Sequence, residues 1–416
     1  MRNIFDQYTQ PENRLTHALV CTLEADRTLL RPFLAWTAAD GIPKPSQLHI
    51  TEQQVPGEMT AGDEGEAKGL PDACVFDDEG WAFLVEAKVQ APVSPDQLRR
   101  HVRTAKRYGF ESPFLLLLSV DPPPRSMPPR SSYRAWRDVY AWFRRRAGSS
   151  LWADTFTRYM EAFESRMIGE DYSIRGTLTM FDGFHFNDEN PYTYREGKRL
   201  IRLLGDEVQA RKDLRALGVD PKGARRSAIT GRGGDGVWDF LPLKAARDAK
   251  NFTDFPHLTL GVHRQNAGAS ITIPNGVRGG FKSSLKELGE DGFLTLLEKI
   301  ERKTRAVRRG APGSKTTIYA TQRHYRSQRS NAEVDANIEA DIRTVVRDDS
   351  ATKYQPEWAR AVYGVLTQKR SNIQLGITTK FPYDAGPIRS VKAADFFARA
   401  WIAMSPILDV VLGEDW

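Results

Sequence analysis

Cysteine is scarce in this sequence, since Cys21 and Cys74 are the only two in 416 residues. Two cysteines exclude a disulfide framework and a cysteine-based zinc site. Both stand among apolar residues, so we expect them to be buried free thiols. A chain without disulfides is typical of a reducing cytoplasm.

Long apolar runs are missing as well. A membrane-spanning helix needs about 20 consecutive apolar residues, and no stretch of the chain supplies them. We therefore expect no membrane partner. The first residues, MRNIFDQYTQPENR, lack the charged-then-apolar layout of a secretion signal. A cytoplasmic protein is the simplest expectation.

The composition is that of an ordinary globular protein, with 40% hydrophobic and 27% charged residues. A chain of 416 residues favours two domains, and we expect their boundary near residue 170. The net charge of +7 is uneven: residues 1–170 carry −2 and the remainder carries +9. A basic surplus of this kind suits a polyanionic partner. A homo-oligomer is compatible with the sequence.

The N-terminal part alternates between helical and strand patterns. Apolar residues recur on one helix face over 12–36, and a continuous apolar run over 113–121 predicts a central strand covered on both faces. The remaining predicted elements are a strand (46–54), a loop (56–69), a hairpin (70–90), a helix (95–109) and two helices near 131–146 and 151–167. This order predicts an α/β domain with a mixed sheet flanked by helices.

The C-terminal part predicts an α+β domain with an antiparallel sheet. The predicted strands are 177–186, 257–263, 269–275, 316–325 and 372–381. The predicted helices are 193–217, 283–305 and 391–404, and the glycine-rich stretch 227–240 predicts a loop.

The hairpin LPDACVFDDEGWAFLVEAKVQ (70–90) contains acids and a lysine in a segment otherwise suited to burial. Alternation along 81–89 places Glu86 and Lys88 on one face, whereas the other face is wholly apolar. Gly80 fits a three-residue turn (78–80) with glycine in the left-handed conformation. That turn sets the register so that Asp72 lies opposite Glu86.

Two acids facing each other beside a lysine are costly for stability alone, because like charges on cross-strand neighbours repel. A hard divalent cation removes the conflict, since two carboxylates can bind Mg²⁺ and leave positions for water and phosphate. Lys88 adds a fixed positive charge beside the same point. The residue types therefore suit metal-dependent phosphodiester cleavage.

Pro71-Asp72, thirteen intervening residues and Glu86-Ala87-Lys88 resemble the motif of the PD-(D/E)XK nuclease superfamily. The resemblance covers about residues 3–145. It implies a restriction-endonuclease-like core and a catalytic set of Asp72, Glu86 and Lys88, with Mg²⁺ or Mn²⁺ bound by Asp72 and Glu86. No family is recognised for residues 171–416.

The same resemblance implies two assisting residues. Members of the superfamily often carry an acid on the first helix and a glutamine on the helix after the lysine, and Glu12 and Gln97 occupy those places. Some members have tyrosine four residues after the glutamine. This chain has His101 there, one turn from Gln97 on the same helix face, and we expect a helix-surface or packing residue.

Two basic segments are candidates for nucleic-acid contact. The first is the helix QLRRHVRTAKRYG, with no acid after Gln97. The second is 301–329, which has nine lysines and arginines against one acid, interleaved with aromatic residues. The predicted contacts are Arg99, Arg100, Arg103, Arg305, Arg308, Arg309, Arg323 and Arg326.

The sequence thus predicts a two-domain, metal-dependent nuclease whose partner is a nucleic acid, with DNA favoured over RNA. The resemblance implies a restriction or anti-phage role. Three alternatives stay open: a nucleic-acid-binding module with an inactive nuclease fold, a nuclease that cleaves RNA, and a protein-interaction or structural subunit.

Overall fold

A computed structural model describes residues 5, 7–56, 69–169, 176–225, 235–247, 251–275, 277, 281–326, 333–347, 352–368 and 372–413. The chain forms two compact units, residues 1–180 and 181–416. Both combine helices and strands. Among the described residues, no helix is both long enough and apolar enough to cross a membrane.

The first unit is built around a five-stranded mixed sheet with strand order β1-β2-β3-β4-β5. Its strands are β1 (His49–Glu52), β2 (Ala73–Phe76), β3 (Ala82–Lys88), β4 (Phe114–Ser119) and β5 (Ser131–Ala135). Strands β1 to β3 pair antiparallel, whereas β3, β4 and β5 pair parallel. Strand β4 is buried along its whole length, which confirms the predicted central strand.

Helices cover both faces of this sheet, as the predicted α/β arrangement requires. They are α1 (Pro11–Ala25), α2 (Arg27–Trp36), α3 (Pro95–Arg107), α4 (Trp136–Arg144) and α5 (Leu151–Gly169). Side chains of α1, α2, α4 and α5 share a core with Phe83 and Val85. Side chains of α3 share a second core with Leu84 on the opposite face. Neighbours along β3 therefore point into different cores.

Two N-terminal predictions need correction, and a third falls mostly on residues that the structure does not describe. The predicted helix 12–36 is two helices, because Asp26 ends α1 and accepts a hydrogen bond from the Thr28 backbone N–H at 3.2 Å, which caps α2. The predicted helix 131–146 begins at Trp136, and the preceding residues form β5. Most of the predicted loop 56–69 lies outside the described residues.

The second unit contains a six-stranded antiparallel sheet with strand order β10-β9-β11-β8-β7-β6. Its strands are β6 (Gly236–Leu241), β7 (His257–His263), β8 (Asn266–Ile273), β9 (Lys315–His324), β10 (Glu333–Asp341) and β11 (Ile373–Pro382). Its helices are α6 (Tyr194–Gln209), α7 (Lys212–Ala216), α8 (Phe281–Gly310, kinked at Gly289), α9 (Glu357–Gln368), α10 (Ala393–Met404) and α11 (Pro406–Leu412). The predicted antiparallel sheet is thus present.

Details of this unit differ from the predictions. Residues 177–186 form no strand; Phe181, Phe184 and Phe186 instead bury their rings in hydrophobic cores of the fold. The predicted helix 193–217 is divided into α6 and α7, and a further helix follows α10. Within the predicted loop 227–240, residues 227–234 lie outside the described part, and strand β6 begins at Gly236.

Candidate active site

The hairpin of β2 and β3 has the register that the sequence predicts. Ala73 pairs with Val85 and Phe76 with Ala82, and continuing this register places Asp72 opposite Glu86. The turn closes with the Asp77 N–H donating to the Trp81 carbonyl at 3.1 Å. Gly80 has a φ of +95°, a value that favours glycine. Local turn chemistry therefore brings the two acids to one face of the sheet.

Asp72 lies half-buried at the start of β2. Its Oδ2 accepts a hydrogen bond from the Ala87 backbone N–H at 2.7 Å. Burial, and next the negative charge of Glu86, raise the pKa of Asp72 to about 7, although the Ala87 N–H and the positive side chains nearby pull in the opposite direction. Near neutral pH this carboxyl therefore holds its proton much more strongly than an ordinary aspartate.

Glu86 is buried and uses one oxygen for two contacts. Its Oε1 accepts from Gln97 Nε2 at 2.7 Å and lies 2.6 Å from Lys88 Nζ. Its Oε2 lies 2.9 Å from His101 Nε2, but the alignment is too poor for a hydrogen bond, and Oε2 has no hydrogen-bond partner among the described residues. A buried carboxylate oxygen of this kind is costly unless something else binds it.

Helix α3 supplies the residues that surround Glu86. Ser94 caps this helix by accepting from the Gln97 backbone N–H at 3.3 Å. The cap fixes the start of α3 so that the Gln97 side chain faces the sheet. His101, one turn later, faces the same way. His101 is 2% exposed, so of the two predicted roles it fits a packing residue and not a helix-surface residue. Its contact with Glu86 makes it part of the site, a role that the sequence analysis did not assign.

Glu12 reaches the same end of β3 from the first turn of α1. Its Oε1 accepts from the backbone N–H groups of Val89, Gln90 and Ala91 at 3.2, 2.8 and 3.0 Å. Burial raises the pKa of Glu12, but the N–H groups of Ala91 and Gln90 lower it more, so the net shift is downward. Glu12 is thus ionised at neutral pH and fixes the chain just after Lys88, as a positioning residue.

The predicted basic contacts differ in exposure. On α3, Arg99, Arg100 and Arg103 are exposed, although Arg99 also pairs with Asp96 at 2.8 Å. In the second unit, Arg309 and Arg326 are exposed, Arg323 is half-buried, and Arg326 pairs with Glu333 at 2.6 Å.

Two arginines of the second unit are tied to an internal acid. Glu301 is fully buried, and it lies 2.7 Å from Arg308 and 2.8 Å from Arg305. Arg308 is itself buried and also donates to Thr304 Oγ1 at 2.8 Å. This burial removes Arg308 from the set of side chains that can reach a polyanion. The charge of Arg305 is likewise paired with Glu301.

A scan against models of known protein families and a search of curated proteins gave no match to this chain. Function is therefore inferred from the chemistry of the side chains gathered around Glu86.

Proposed function

We propose that this protein is a divalent-metal-dependent nuclease of the PD-(D/E)XK type, with its active site on the β2–β3 hairpin. The observation that carries the proposal is the arrangement of Asp72, Glu86 and Lys88 on one sheet face. A further support is the element order, in which the helices α1 and α2, a strand, the hairpin, a helix and another strand follow one another. That order agrees with the core that the resemblance implies.

The donor atoms suit Mg²⁺ or Mn²⁺. Asp72 and Glu86 would hold the ion, since both offer hard carboxylate oxygens, and Glu86 Oε2 has no hydrogen bond from the described residues. When bound, the ion supplies charge stabilisation at the phosphate under attack and lowers the pKa of an attacking water. Burial is the main reason for the raised pKa of Asp72, and repulsion from Glu86 is the second. A bound ion would offset that repulsion.

The other side chains have defined tasks under this proposal. Lys88, with its side chain 12% exposed, orients the attacking water or stabilises the negative charge that develops on the phosphate. Gln97 holds Glu86 by its hydrogen bond, and Glu12 holds the chain after Lys88. Water adds to phosphorus, the bond to the leaving oxygen breaks, and the products are an alcohol and a phosphate monoester.

The second unit would hold the nucleic acid or sense an activating signal. The support for this role is the pair of exposed residues that directly follow β9, Tyr325 and Arg326. The exposed fraction of Tyr325 is 53%. An exposed aromatic ring beside cationic side chains can stack on a base while the cations neutralise the backbone. DNA remains the preferred substrate. A restriction or anti-phage role is a further proposal that follows from the resemblance alone.

Incubating the protein with supercoiled plasmid, linear duplex DNA, single-stranded DNA and RNA tests the proposed activity. We expect cleavage of at least one DNA substrate with Mg²⁺ or Mn²⁺ and none in excess chelator. Cleavage of RNA alone would support the RNA nuclease instead. Intact substrates with every divalent ion, at protein concentrations that bind them, would indicate a binding module.

Salt dependence tests the contribution of α3 to binding. The triple variant Arg99→Ala, Arg100→Ala, Arg103→Ala should make the dependence of log Kd on log salt less steep by about 2–3, because each neutralised phosphate contributes about 0.9 to the slope on duplex DNA. Fluorescence anisotropy at several salt concentrations measures this slope with the catalytic ion omitted.

The matched control is the triple variant Arg31→Ala, Arg137→Ala, Arg145→Ala. These arginines are exposed on or beside α2 and α4, helices on the opposite sheet face, and their loss changes the net charge equally. The slope should stay parental. An equal reduction in both triple variants would mean that α3 makes no specific phosphate contacts.

A further inference from the structure

A second cluster of potential ligands lies on the other face of the same sheet. His17 and Cys21 are four residues apart on α1, so they share a helix face. Glu52 ends β1 and pairs with Ala73, whose side chain belongs to the core under α1. Asp72 precedes Ala73 and therefore points to the opposite face. The cluster is separate from the proposed nuclease site.

The donor atoms of the cluster are close together. His17 Nδ1 lies 2.8 Å from Glu52 Oε1 and 3.1 Å from Oε2. Cys21 Sγ lies 3.5 Å from His17 Nε2 and 3.8 Å from Nδ1. One ligand atom from each of the three residues lies within 4.8 Å of the others, and no other group of three or more histidine, cysteine or acidic side chains in the described part of the chain meets that distance.

The geometry argues against a proton relay from the thiol. A sulphur almost equally far from both ring nitrogens lies beside the imidazole, not on the line of an N–H···S hydrogen bond. The cluster lacks the alignment that a cysteine–histidine–glutamate triad needs.

A metal ion accounts for this set of residues better. In zinc sites the metal–nitrogen and metal–oxygen distances are roughly 2.0–2.2 Å and the metal–sulphur distance is about 2.3 Å. A tetrahedral ion therefore separates its ligand atoms by roughly 3.3–3.7 Å. The sulphur–nitrogen distances of 3.5 and 3.8 Å are close to this range. The nitrogen–oxygen distance of 2.8 Å would have to lengthen by about half an ångström, and the imidazole would have to turn toward the ion. Tyr8 Oη also donates to Glu52 Oε2 at 3.1 Å, the kind of outer contact that orients a ligating carboxylate.

We propose that His17, Cys21 and Glu52 form a zinc site that fastens α1 to β1. A thiolate and an imidazole select Zn²⁺ over Mg²⁺, and three protein ligands leave a fourth position for water. Glu52, with its side chain 19% exposed, gives an ion access from solvent. The site contains one cysteine, so it differs from the cysteine-based zinc sites that the cysteine count excludes.

Cobalt titration of the full chain, stripped of metal by chelator, tests the proposal. Co²⁺ substitutes for zinc, and a thiolate ligand gives a charge-transfer band in the near ultraviolet. We expect one equivalent of Co²⁺ to produce that band and Zn²⁺ to remove it. Cys21→Ser should abolish the band and weaken Zn²⁺ binding by at least about tenfold, since even outer-shell losses cost 10–100-fold in metal affinity.

Cys74→Ser is the matched control, because Cys74 is the other free cysteine and lies on the opposite sheet face; it should keep the band. Glu52→Gln is a second variant that leaves both thiols in place and should weaken Zn²⁺ binding. A parent protein without the band, or a Cys21→Ser variant that binds Zn²⁺ as the parent does, would overturn the proposal. Glu86→Gln should retain the band, so failure of the nuclease proposal is distinguishable from failure of this one.

Discussion

Replacing Glu86 with glutamine should lower the cleavage rate by at least about 10³-fold while the protein stays folded and bound to nucleic acid. Loss of a metal ligand removes several kcal/mol of transition-state stabilisation, and roughly 1.4 kcal/mol corresponds to a factor of ten in rate. Glutamine keeps an oxygen that can accept from Gln97 Nε2, so the packing around position 86 is preserved. Single-turnover cleavage with Mg²⁺ measures the effect.

Glu111→Gln is the matched control. It changes the same charge on the same unit, but residue 111 is exposed in the segment between α3 and β4. Its cleavage rate should stay within about twofold of the parent, as for most surface substitutions. A Glu86→Gln variant that cleaves at the parental rate would refute the proposed site. Parental Mg²⁺ affinity in this variant would show that the ion is held elsewhere.

The hairpin could be predicted in detail because its information is local. A glycine in a three-residue turn and strict alternation along β3 were enough to set the register, and the register alone decides which acids face each other. Gln97 was placed beside the site by the family resemblance and not by the local pattern, because members of that superfamily often carry a glutamine on the helix that follows the lysine. His101 contacts Glu86 because it lies on the same helix face as Gln97. Whether that face is buried depends on the packing of α3 against the sheet, which the local sequence does not determine.

Features that depend on distant parts of the chain were missed. Glu52 lies near His17 and Cys21 only because the fold places β1 under α1. The number of cysteines does not predict a site that combines one cysteine with a histidine and a glutamate. Strand β10 is largely exposed along its length, so it lacks the apolar alternation by which strands are recognised. The break at Asp26 did have a local signal, an aspartate two residues before a threonine that it caps, and the apolar periodicity outweighed it.

Replacing Asp72 with asparagine should have opposite effects on activity and stability. Activity should fall by about 10²–10³-fold, because the variant loses a carboxylate ligand for the ion. The metal-free protein should become more stable at pH 8, by about 2 kcal/mol. A pKa raised from 3.8 to about 7 corresponds to roughly 4 kcal/mol if none of it relaxes, and we expect local relaxation to recover part of that cost.

The pH dependence follows from the sign of the pKa shift. The folded protein holds the Asp72 proton more tightly than the unfolded chain does, so the parent's stability contribution from this group is present at low pH. It is lost as pH rises from the unfolded value through about 7. Asparagine stays neutral throughout. The stability advantage of Asp72→Asn should therefore be small near pH 4 and grow until about pH 7.

Urea unfolding in chelator at several pH values measures the unfolding free energy of the parent and of Asp72→Asn. The titration of groups that both proteins share largely cancels in the difference. Asp78→Asn is the control, because Asp78 lies in the turn of the same hairpin with its side chain 87% exposed, and its stability should change by less than about 0.5 kcal/mol. Added Mg²⁺ should stabilise the parent and not Asp72→Asn. A variant that is less stable than the parent at pH 8, or whose stability advantage does not change with pH, would contradict this. It would show that ionisation of Asp72 does not destabilise the metal-free protein.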